Sequence, residues 1–362
     1  MMVDLANAYV KKGYDVVLIT GRLVVRNTKP LEEVRIEKII RYKRNNIFSR
    51  LFTWSVAFIQ LFFLVLLKFR HYQLLIVSTP PFAVFLPLFV RNNFDLLIYD
   101  IYPDILVETG YVRVGSLLHK WWRKANCKIF SKAGRIITIT EGMKKVLYSY
   151  AGTKTVEVIP IWTDNTFLKP VPKHENKFVE KYQLLDNFIV MYSGNLGLTH
   201  CVEIIPELAK LTKNPKIRFV IIGEGEKKRL LENKISEYGV SNVLLLPRQP
   251  VDMLPFSLSA ADLALVTLGQ RASRLSVPSK TYNFMSAGAA LLCISGTESE
   301  LTFLVDTFNN GKAFEEDQIV QIAAFIEELS CNFDLLNRYK QNSLLAAQHF
   351  DKENVNRFIQ TF

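Results

Sequence analysis

The sequence predicts an α/β protein built from two doubly wound domains, and three observations carry that prediction. Short aliphatic and β-branched runs alternate with helix-patterned stretches along the chain, the pattern of parallel strands covered on both faces by helices. The alternation breaks once, over a polar, proline-containing segment at 162–187, and then restarts. Several runs end in turns rich in Gly, Pro, Ser and Asp, where doubly wound sheets bind their ligands. A chain of 362 residues, 49% hydrophobic and 22% charged, can bury two cores and is neither a disulfide scaffold, a coiled coil, collagen-like nor disordered.

In chain order, MMVDLANAYVKKGYDVVLITG reads as a short helix, a turn at Gly13 and a strand at 16–20, with no signal peptide. Further strands are expected at 74–77, 94–99, 135–140 and 156–160, with helices over 47–69, 82–90, 115–131 and 141–150. Residues 162–187 read as a linker. Beyond it, strands are expected at 188–194, 218–223, 242–247, 262–268 and 290–295, with helices over 201–212, 226–238, 278–287, 298–306 and 316–329. The end of the chain, 333–362, reads as helical. Domains are therefore expected at 1–165 and 166–345, facing a cleft, with a helix over 346–362 packing back towards the first domain.

Charge is distributed unevenly. Residues 1–165 hold 24 Lys and Arg against 12 Asp and Glu, whereas the remainder holds 21 against 22, so the whole net charge of +11 arises in the first half. Nucleic acid, an anionic membrane surface or a phosphorylated substrate would answer that charge. Leu51–Leu67 is free of charge and flanked by Arg50 and Lys68. As a helix it reaches about 26 Å, short of a hydrocarbon core of about 30 Å. A span would also place the strands at 16–20 and 74–77 on opposite sides of the bilayer. A helix lying on the cytoplasmic face, helped by Arg41, Lys43, Arg44, Arg50, Lys68 and Arg70, is the expected arrangement; an ordinary buried helix is the alternative. Cys127, Cys201, Cys293 and Cys331 are widely spaced and read as reduced thiols of a cytosolic protein. The five histidines have no metal-ligand spacing, and no Asp-x-Asp motif occurs.

The chemistry-bearing residues stand at strand ends. Gly194-Asn195-Leu196-Gly197 follows the run FIVMYS and can turn backbone amides towards a phosphate, or serve strand–helix packing alone. Gly223-Glu224-Gly225 is followed by Lys228 where a dinucleotide fingerprint needs its third glycine, and its acidic residues repel pyrophosphate; this turn lines a sugar or is structural. Arg271-Ala-Ser-Arg274-Leu-Ser-Val-Pro278-Ser279-Lys280 is a basic loop entering a helix at Pro278, a combination suited to a diphosphate leaving group. Asp100-Ile-Tyr102-Pro103-Asp104 places two carboxylates after a strand, fit to orient sugar hydroxyls or accept a proton, or to cap a helix.

Together the stretches DLANAYVKKGYDVVLITG, STPP, YDIYPDILVETG, MYSGNLGLTH, FVIIGEGEKKRLL, LPRQPVDMLPFSLSAADLALVTL and VPSKTYNFMSAG resemble the retaining glycosyltransferases of family 4, with the GT-B fold of two Rossmann-like domains. The likeness is greatest to bacterial enzymes of surface-polysaccharide assembly, of the colanic-acid and O-antigen type, and runs from about residue 3 to residue 350. It implies a nucleotide-sugar donor, a UDP-sugar before a GDP-sugar, held mainly by the C-terminal domain. The N-terminal domain would hold an acceptor, a polyprenyl-diphosphate-linked glycan at an anionic membrane. No metal and no cofactor are implied, and no nucleic acid. By position, Lys280, Ser279, Pro278 and Arg274 would meet the diphosphate, with Gly194, Asn195 and Gly197 beside it. Arg248 and Gln249 would meet the base, Gly223, Asn283 and Glu298 would complete the donor site, and Asp100 and Asp104 would serve the acceptor.

Three positions depart from the family pattern. Leu275 and Asn283 stand where many members carry two glutamates, and Arg248 stands where this branch often has an aromatic residue. The family also opens with a strand and a glycine-rich loop before its first helix, whereas this sequence starts within that helix. A catalytically impaired homologue acting as a binding or scaffold subunit is the second reading these departures allow.

Overall fold

The computed structural model describes residues 1–23, 28–43, 47–108, 110–197, 200–269 and 278–359. The chain divides into two units, Met1–Ile161 with Glu353–Phe362, and Trp162–Lys352. These divisions, at 161/162 and 352/353, lie within a few residues of the boundaries expected at 165/166 and 345/346.

In the first unit the strands are β1 (Val17–Thr20), β2 (Arg35–Lys38), β3 (Leu74–Val77), β4 (Phe94–Ile98), β5 (Ile136–Thr138) and β6 (Val156–Val158). They form two parallel sheets, β1 with β2, and β3-β4-β5-β6 in that order. Every residue of β4 and β5 is buried, as a central parallel strand requires. Strand β2 was not expected: its sequence Arg-Ile-Glu-Lys is three-quarters charged, a composition that only an edge strand tolerates. The helix Ile47–Leu67 and the helix Leu117–Phe130 both pack on a 3₁₀ helix at Pro81–Leu88. That segment was expected as an α-helix, but Pro87 within it removes a backbone donor and the chain winds tighter.

The second unit contains β7 (Phe188–Asn195), β8 (Ile217–Glu224), β9 (Val243–Leu246), β10 (Leu263–Thr267), β11 (Ala290–Ile294) and β12 (Gly311–Phe314), all parallel, in the order β12-β11-β10-β7-β8-β9. The chain steps outward from β7 to β9, then returns to the other side of β7 with β10. The strand order therefore reverses between β7 and β10, which is where doubly wound sheets open a binding crevice. Strand β12, with the sequence Gly-Lys-Ala-Phe, was also not expected, being too short and too polar to stand out and lying at the sheet edge.

The segment expected as a linker is a packed part of the second unit. It contains a 3₁₀ turn at Lys173–Glu175 and a helix at Lys177–Lys181, with Asn176, Phe178 and Val179 buried. Asn176 caps that helix and donates from its amide to the Phe256 carbonyl at 2.9 Å. Lys173 reaches the buried Asp262 at 2.5 Å, and the same carboxylate accepts from the Ile189 amide at 2.9 Å and from Lys340 at 3.3 Å. Three donors, two of them cationic, repay the desolvation of that carboxylate.

The end of the chain is not one helix. Phe333–Gln348 is helical within the second unit, whereas Lys352–Val355 is a 3₁₀ turn and Asn356–Ile359 a short helix that packs on the first helix, Met2–Lys11. Arg135 fastens this tail to the first unit. Its guanidinium grips Glu157 in two places, at 2.9 and 2.7 Å, and donates to the Phe358 carbonyl at 2.8 Å. That grip holds the Glu157 carboxyl below its ordinary range. Arg135→Met should lower stability by about 2 kcal/mol. It should also speed amide hydrogen exchange at 353–359 before it affects the second unit, as mass spectrometry of peptic fragments would show.

Candidate functional site

The site builds on the first turn of the second unit's sheet. Strands β7 and β8 pair through Gly194 and Gly223 at their carboxyl ends. A Cβ on Gly223 would stand 2.0 Å from the Gly194 carbonyl oxygen, so its smallness is required by strand packing. Gly194 has a different neighbour: a Cβ there would lie 3.4 Å from Cδ of Lys280. The glycine leaves room for the lysine to lie over the end of β7. Asn195 is at the exposed tip of the turn, while Leu196 and Gly197 are buried behind it.

Lys280 opens the helix Lys280–Ser286, which follows β10. The residue as a whole is half-buried, yet its Nζ is fully sealed and has no hydrogen-bond partner among the described residues. It stands 3.6 Å from the centroid of the Tyr192 ring. Burial drives the Lys280 ammonium well below the ordinary lysine range. Two hydroxyls nearby in sequence and sheet position are likewise buried without a partner, Thr267 Oγ1 at the end of β10 and Thr281 Oγ1 beside Lys280. Buried polar atoms left unsatisfied are rare and costly, and Lys280 Nζ over the end of β7, with Thr267 at the end of β10, makes this strand reversal a candidate site for a polar ligand.

Tyr192 and His200 frame this place. The Tyr192 hydroxyl donates to the Asn195 carbonyl at 2.6 Å and so pins the turn, while its ring carries Lys280. His200 lies with Nδ1 2.8 Å from the Thr267 carbonyl, and its ring meets Tyr192 edge-on at 6.3 Å. Burial, with Lys280 as the second cause, pushes the His200 imidazole down to about 4. Neither residue was singled out from sequence, although both lie in the stretch MYSGNLGLTH. Period-two alternation along β7 puts Tyr192 on the same face as Gly194, and that was the signal available.

The other expected donor residues spread around this centre. Ser279 is exposed at the start of the helix with no side-chain cap, and the Pro278 carbonyl accepts from the Thr281 amide at 3.0 Å. Asn283 points elsewhere: its Oδ1 accepts from the Thr163 hydroxyl at 2.7 Å, tying the helix to the segment after β6. Arg248 is exposed beyond β9, and Gln249 donates to the Pro247 carbonyl at 2.9 Å. Glu298 is exposed before the helix Glu300–Phe308. Arg271 and Arg274 lie outside the described residues. Among the described residues no cluster of three His, Cys, Asp or Glu side chains could hold a metal.

In the first unit, Asp100 and Asp104 follow β4. Ser78 Oγ, after β3, accepts from the amides of Tyr99 and Asp100 at 2.9 and 3.1 Å. This fixes the course of the loop. The Asp104 carboxylate, at the start of the helix Asp104–Glu108, accepts from the Tyr150 hydroxyl, whose titration burial and Asp104 both raise. Asp100 shares a hollow with Ser78, Tyr102 and Asn126, and the Asn126 Oδ1 is buried there without a partner. The Asp104 carboxylate is thus engaged by a phenol, and Asp100 lines the small hollow.

The His200 environment makes a testable statement about acid stability. A base whose folded value is about 4 binds fewer protons when folded than when unfolded, so its contribution is complete above about pH 6.5 and is lost as pH falls towards 4. By about pH 5 the loss amounts to about 2 kcal/mol. His200→Gln should flatten the fall in Tm between about pH 7 and about pH 5 relative to the wild type.

The profile of glycosyl transferases group 1 matches residues 174–344. "Probable glycosyltransferase WbjE" of Pseudomonas aeruginosa is 27% identical over 241 residues, 66% of this chain and 60% of that protein. WcaI of Escherichia coli (strain K12), whose name assigns it to colanic acid biosynthesis as a glycosyl transferase, is 27% identical over 59% of this chain and 53% of its own. The chain therefore spans between about half and three fifths of the length of these curated relatives. Among solved structures, Anabaena HepE in complex with UDP-glucose superposes with a TM-score of 0.73 at 16% identity, over 99% of this chain and 93% of that one. Sucrose-phosphate synthase from Thermosynechococcus elongatus superposes at 0.72 and 15% identity, over 98% and 90%. The fold is the GT-B architecture of two Rossmann-like domains, and the second unit is similar in sequence to glycosyl transferases group 1.

Proposed function

We propose that the chain is a retaining glycosyltransferase of the family 4 type that moves a sugar from a nucleotide-sugar donor to a lipid-linked glycan in bacterial surface-polysaccharide synthesis. The observation that carries this reading is the sealed, unpartnered Lys280 Nζ at the β7/β10 reversal, with Thr267 and Thr281 also lacking partners. A donor diphosphate would supply the acceptors that Lys280 needs. In the reaction, charge grows on the departing diphosphate as the glycosidic bond breaks, and Lys280 with nearby amides would stabilise it. The acceptor hydroxyl would attack from the same face, losing its proton to the departing phosphate. Asp100 and Asp104 are assigned to the acceptor, Asp100 as the group in contact with it and Asp104 as the anchor of its loop. HepE with UDP-glucose supports a UDP-sugar as donor, and the name of WcaI supports a polysaccharide product.

The acceptor's lipid places the enzyme at a cytoplasmic membrane face, and the helix Ile47–Leu67 is suited to lie on it. Phe48–Leu67 is long and apolar enough to cross a membrane. One face of the helix is committed to the first unit. Gln60 accepts from the Ile40 amide at 2.7 Å, Lys68 pairs with Glu37 at 3.2 Å, and Trp54 packs against Tyr42, Phe82 and Tyr102. A mid-helix residue bonded to the backbone beside β2 cannot sit at the centre of a bilayer. The other face exposes Phe48, Phe52, Ile59, Phe63 and Leu67, spaced along one stripe. Trp121, Leu117 and Leu118 on the neighbouring helix are exposed as well, and Phe85 of the shared 3₁₀ segment touches Trp121 at 5.3 Å. An apolar stripe on a helix flanked in sequence by Arg41, Lys43 and Arg70, with Arg50 in its first turn, fits an anionic surface.

Two measurements check these assignments. Lys280→Ala should cut transfer by about 10²–10³-fold with Tm retained, while UDP, UDP-sugars or GDP raise the wild-type Tm. Retained turnover in the variant would remove Lys280 from the mechanism, and no thermal shift with any nucleotide would favour a scaffold function. In co-sedimentation, vesicles containing phosphatidylglycerol should retain the protein and phosphatidylcholine vesicles should not. The double variant Phe52→Glu, Phe63→Glu should bind at least about tenfold more weakly. Equal binding to both vesicles would remove the membrane surface from the proposal.

A further inference from the structure

Lys280 is a puzzle as an ammonium. An ammonium has three donors to satisfy, and among the described residues Nζ finds no acceptor. Among the described residues, the groups facing it carry no compensating charge. From β7 comes the ring face of Tyr192, a phenol that burial keeps protonated. From the segment after β7 comes His200, held neutral at ordinary pH. From β11 comes Cys293, a thiol pushed up to about 12 by burial. The partnerless Thr267 Oγ1 at the end of β10 and Thr281 Oγ1 are uncharged. The helix Phe333–Gln348, packed along the lysine's own helix, spends its Lys340 charge on Asp262. A ring face repays a desolvated cation by about 2 kcal/mol, whereas sealing an unpaired ammonium costs several kcal/mol. The ring face thus offsets only part of the cost, and magnitude and count of partners both push Lys280 towards the neutral amine.

We propose that Lys280 rests on Tyr192 as a neutral amine in the donor-free protein and is protonated as a nucleotide diphosphate enters, so that donor binding takes up one proton. The inference rests on the donor site proposed above. In the step, the amine lone pair takes a proton from solvent and becomes an ammonium, no other group changes its charge, and the two phosphate anions supply the acceptors the empty site lacks. The charge needed for leaving-group stabilisation is then created together with the complex. By linkage, donor affinity falls as pH rises, by up to about tenfold per pH unit between the donor-free and donor-bound values of Lys280.

Calorimetry of UDP-glucose and GDP-mannose binding, run at about pH 8 in phosphate and in Tris, measures the proton count, because the diphosphate diesters themselves carry no proton there. The expected uptake is about one proton per donor bound. Lys280→Met should abolish the uptake and weaken binding, whereas His200→Gln should keep the uptake, which separates the lysine from the other base of the cluster. Where Lys280→Met binds too weakly to measure, ¹³Cε resonances of labelled lysines in donor-free protein report directly: one lysine, missing from that variant's spectrum, should titrate well below the ordinary lysine range. Donor binding with no proton uptake, or a Lys280 resonance titrating near the ordinary value of about 10.4, would overturn the proposal and leave the donor site standing. Failure of every UDP- and GDP-sugar to bind would overturn the donor site itself, and this proposal with it.

Discussion

The reversal of strand order between β7 and β10 is the constraint from which the second unit's site follows. Because β10 returns to the free side of β7, the helix after β10 starts over the end of β7, and Lys280 is delivered above Tyr192 and Gly194. Because β8 lies against the other side, the turn after β7 must pass Gly223 at a distance that excludes a Cβ. Packing on one flank and lysine access on the other thus claim the same four residues. Gly223 answers the first and Gly194 the second, and this is why the turn reads ambiguously as a phosphate loop or a steric necessity. It is the second because of β8 and makes way for the first because of Lys280.

The two units solve the edge problem of parallel sheets differently. In the second, six strands bury their central members completely, with Leu263, Leu291 and Leu292 inaccessible, and the edges β9 and β12 are short. In the first, β1 and β2 form a sheet of their own apart from β3–β6, and much of the cohesion passes through aromatic side chains. Trp54 joins the apolar helix to Phe82 and Tyr102, and Trp122 stacks on Tyr102 at 6.0 Å and lies 5.2 Å from Phe85. This wall stands directly behind the loop that carries Asp100 and Asp104. The helix that offers an apolar stripe outward is therefore coupled, on its inner face, to the acidic loop.

How much of this is legible in sequence divides along physical lines. The buried strands are legible because a parallel strand covered on both faces is continuously apolar, as in Ile-Ile-Thr and Leu-Ala-Leu-Val-Thr. Strands β2 and β12 are not, because an edge is free to carry charge or to shrink to four residues. Segment 162–187 reads as a linker since its polarity is local information. Its burial depends on Asp262, which lies far along the chain and turns Lys173 from a solvent group into a structural one. Lys280, Gly194 and the acidic pair are legible as types of residue at strand ends. What is not legible is which of them the fold engages: Asn283 is occupied by Thr163 and Asp104 by Tyr150, and both contacts join segments remote in sequence.

If Lys280 meets a donor diphosphate as proposed, its sealed environment suits the stabilisation of a leaving group. An exposed ammonium would interact with the ground-state donor through water, where a unit charge at 4 Å is worth about 1 kcal/mol. Beneath the Tyr192 ring, in a region of low effective dielectric, the interaction is several times stronger. The cost of that strength is a partnerless Nζ in the empty protein, together with the idle hydroxyls of Thr267 and Thr281. Stability given up by the ligand-free fold becomes interaction available only when charge arrives, and it is largest when that charge is largest, as the glycosidic bond breaks. A carboxylate partner for Lys280 would have relieved the empty state and removed that difference. Under the proposed assignment, its absence among the described residues would help the site discriminate between substrate and transition state.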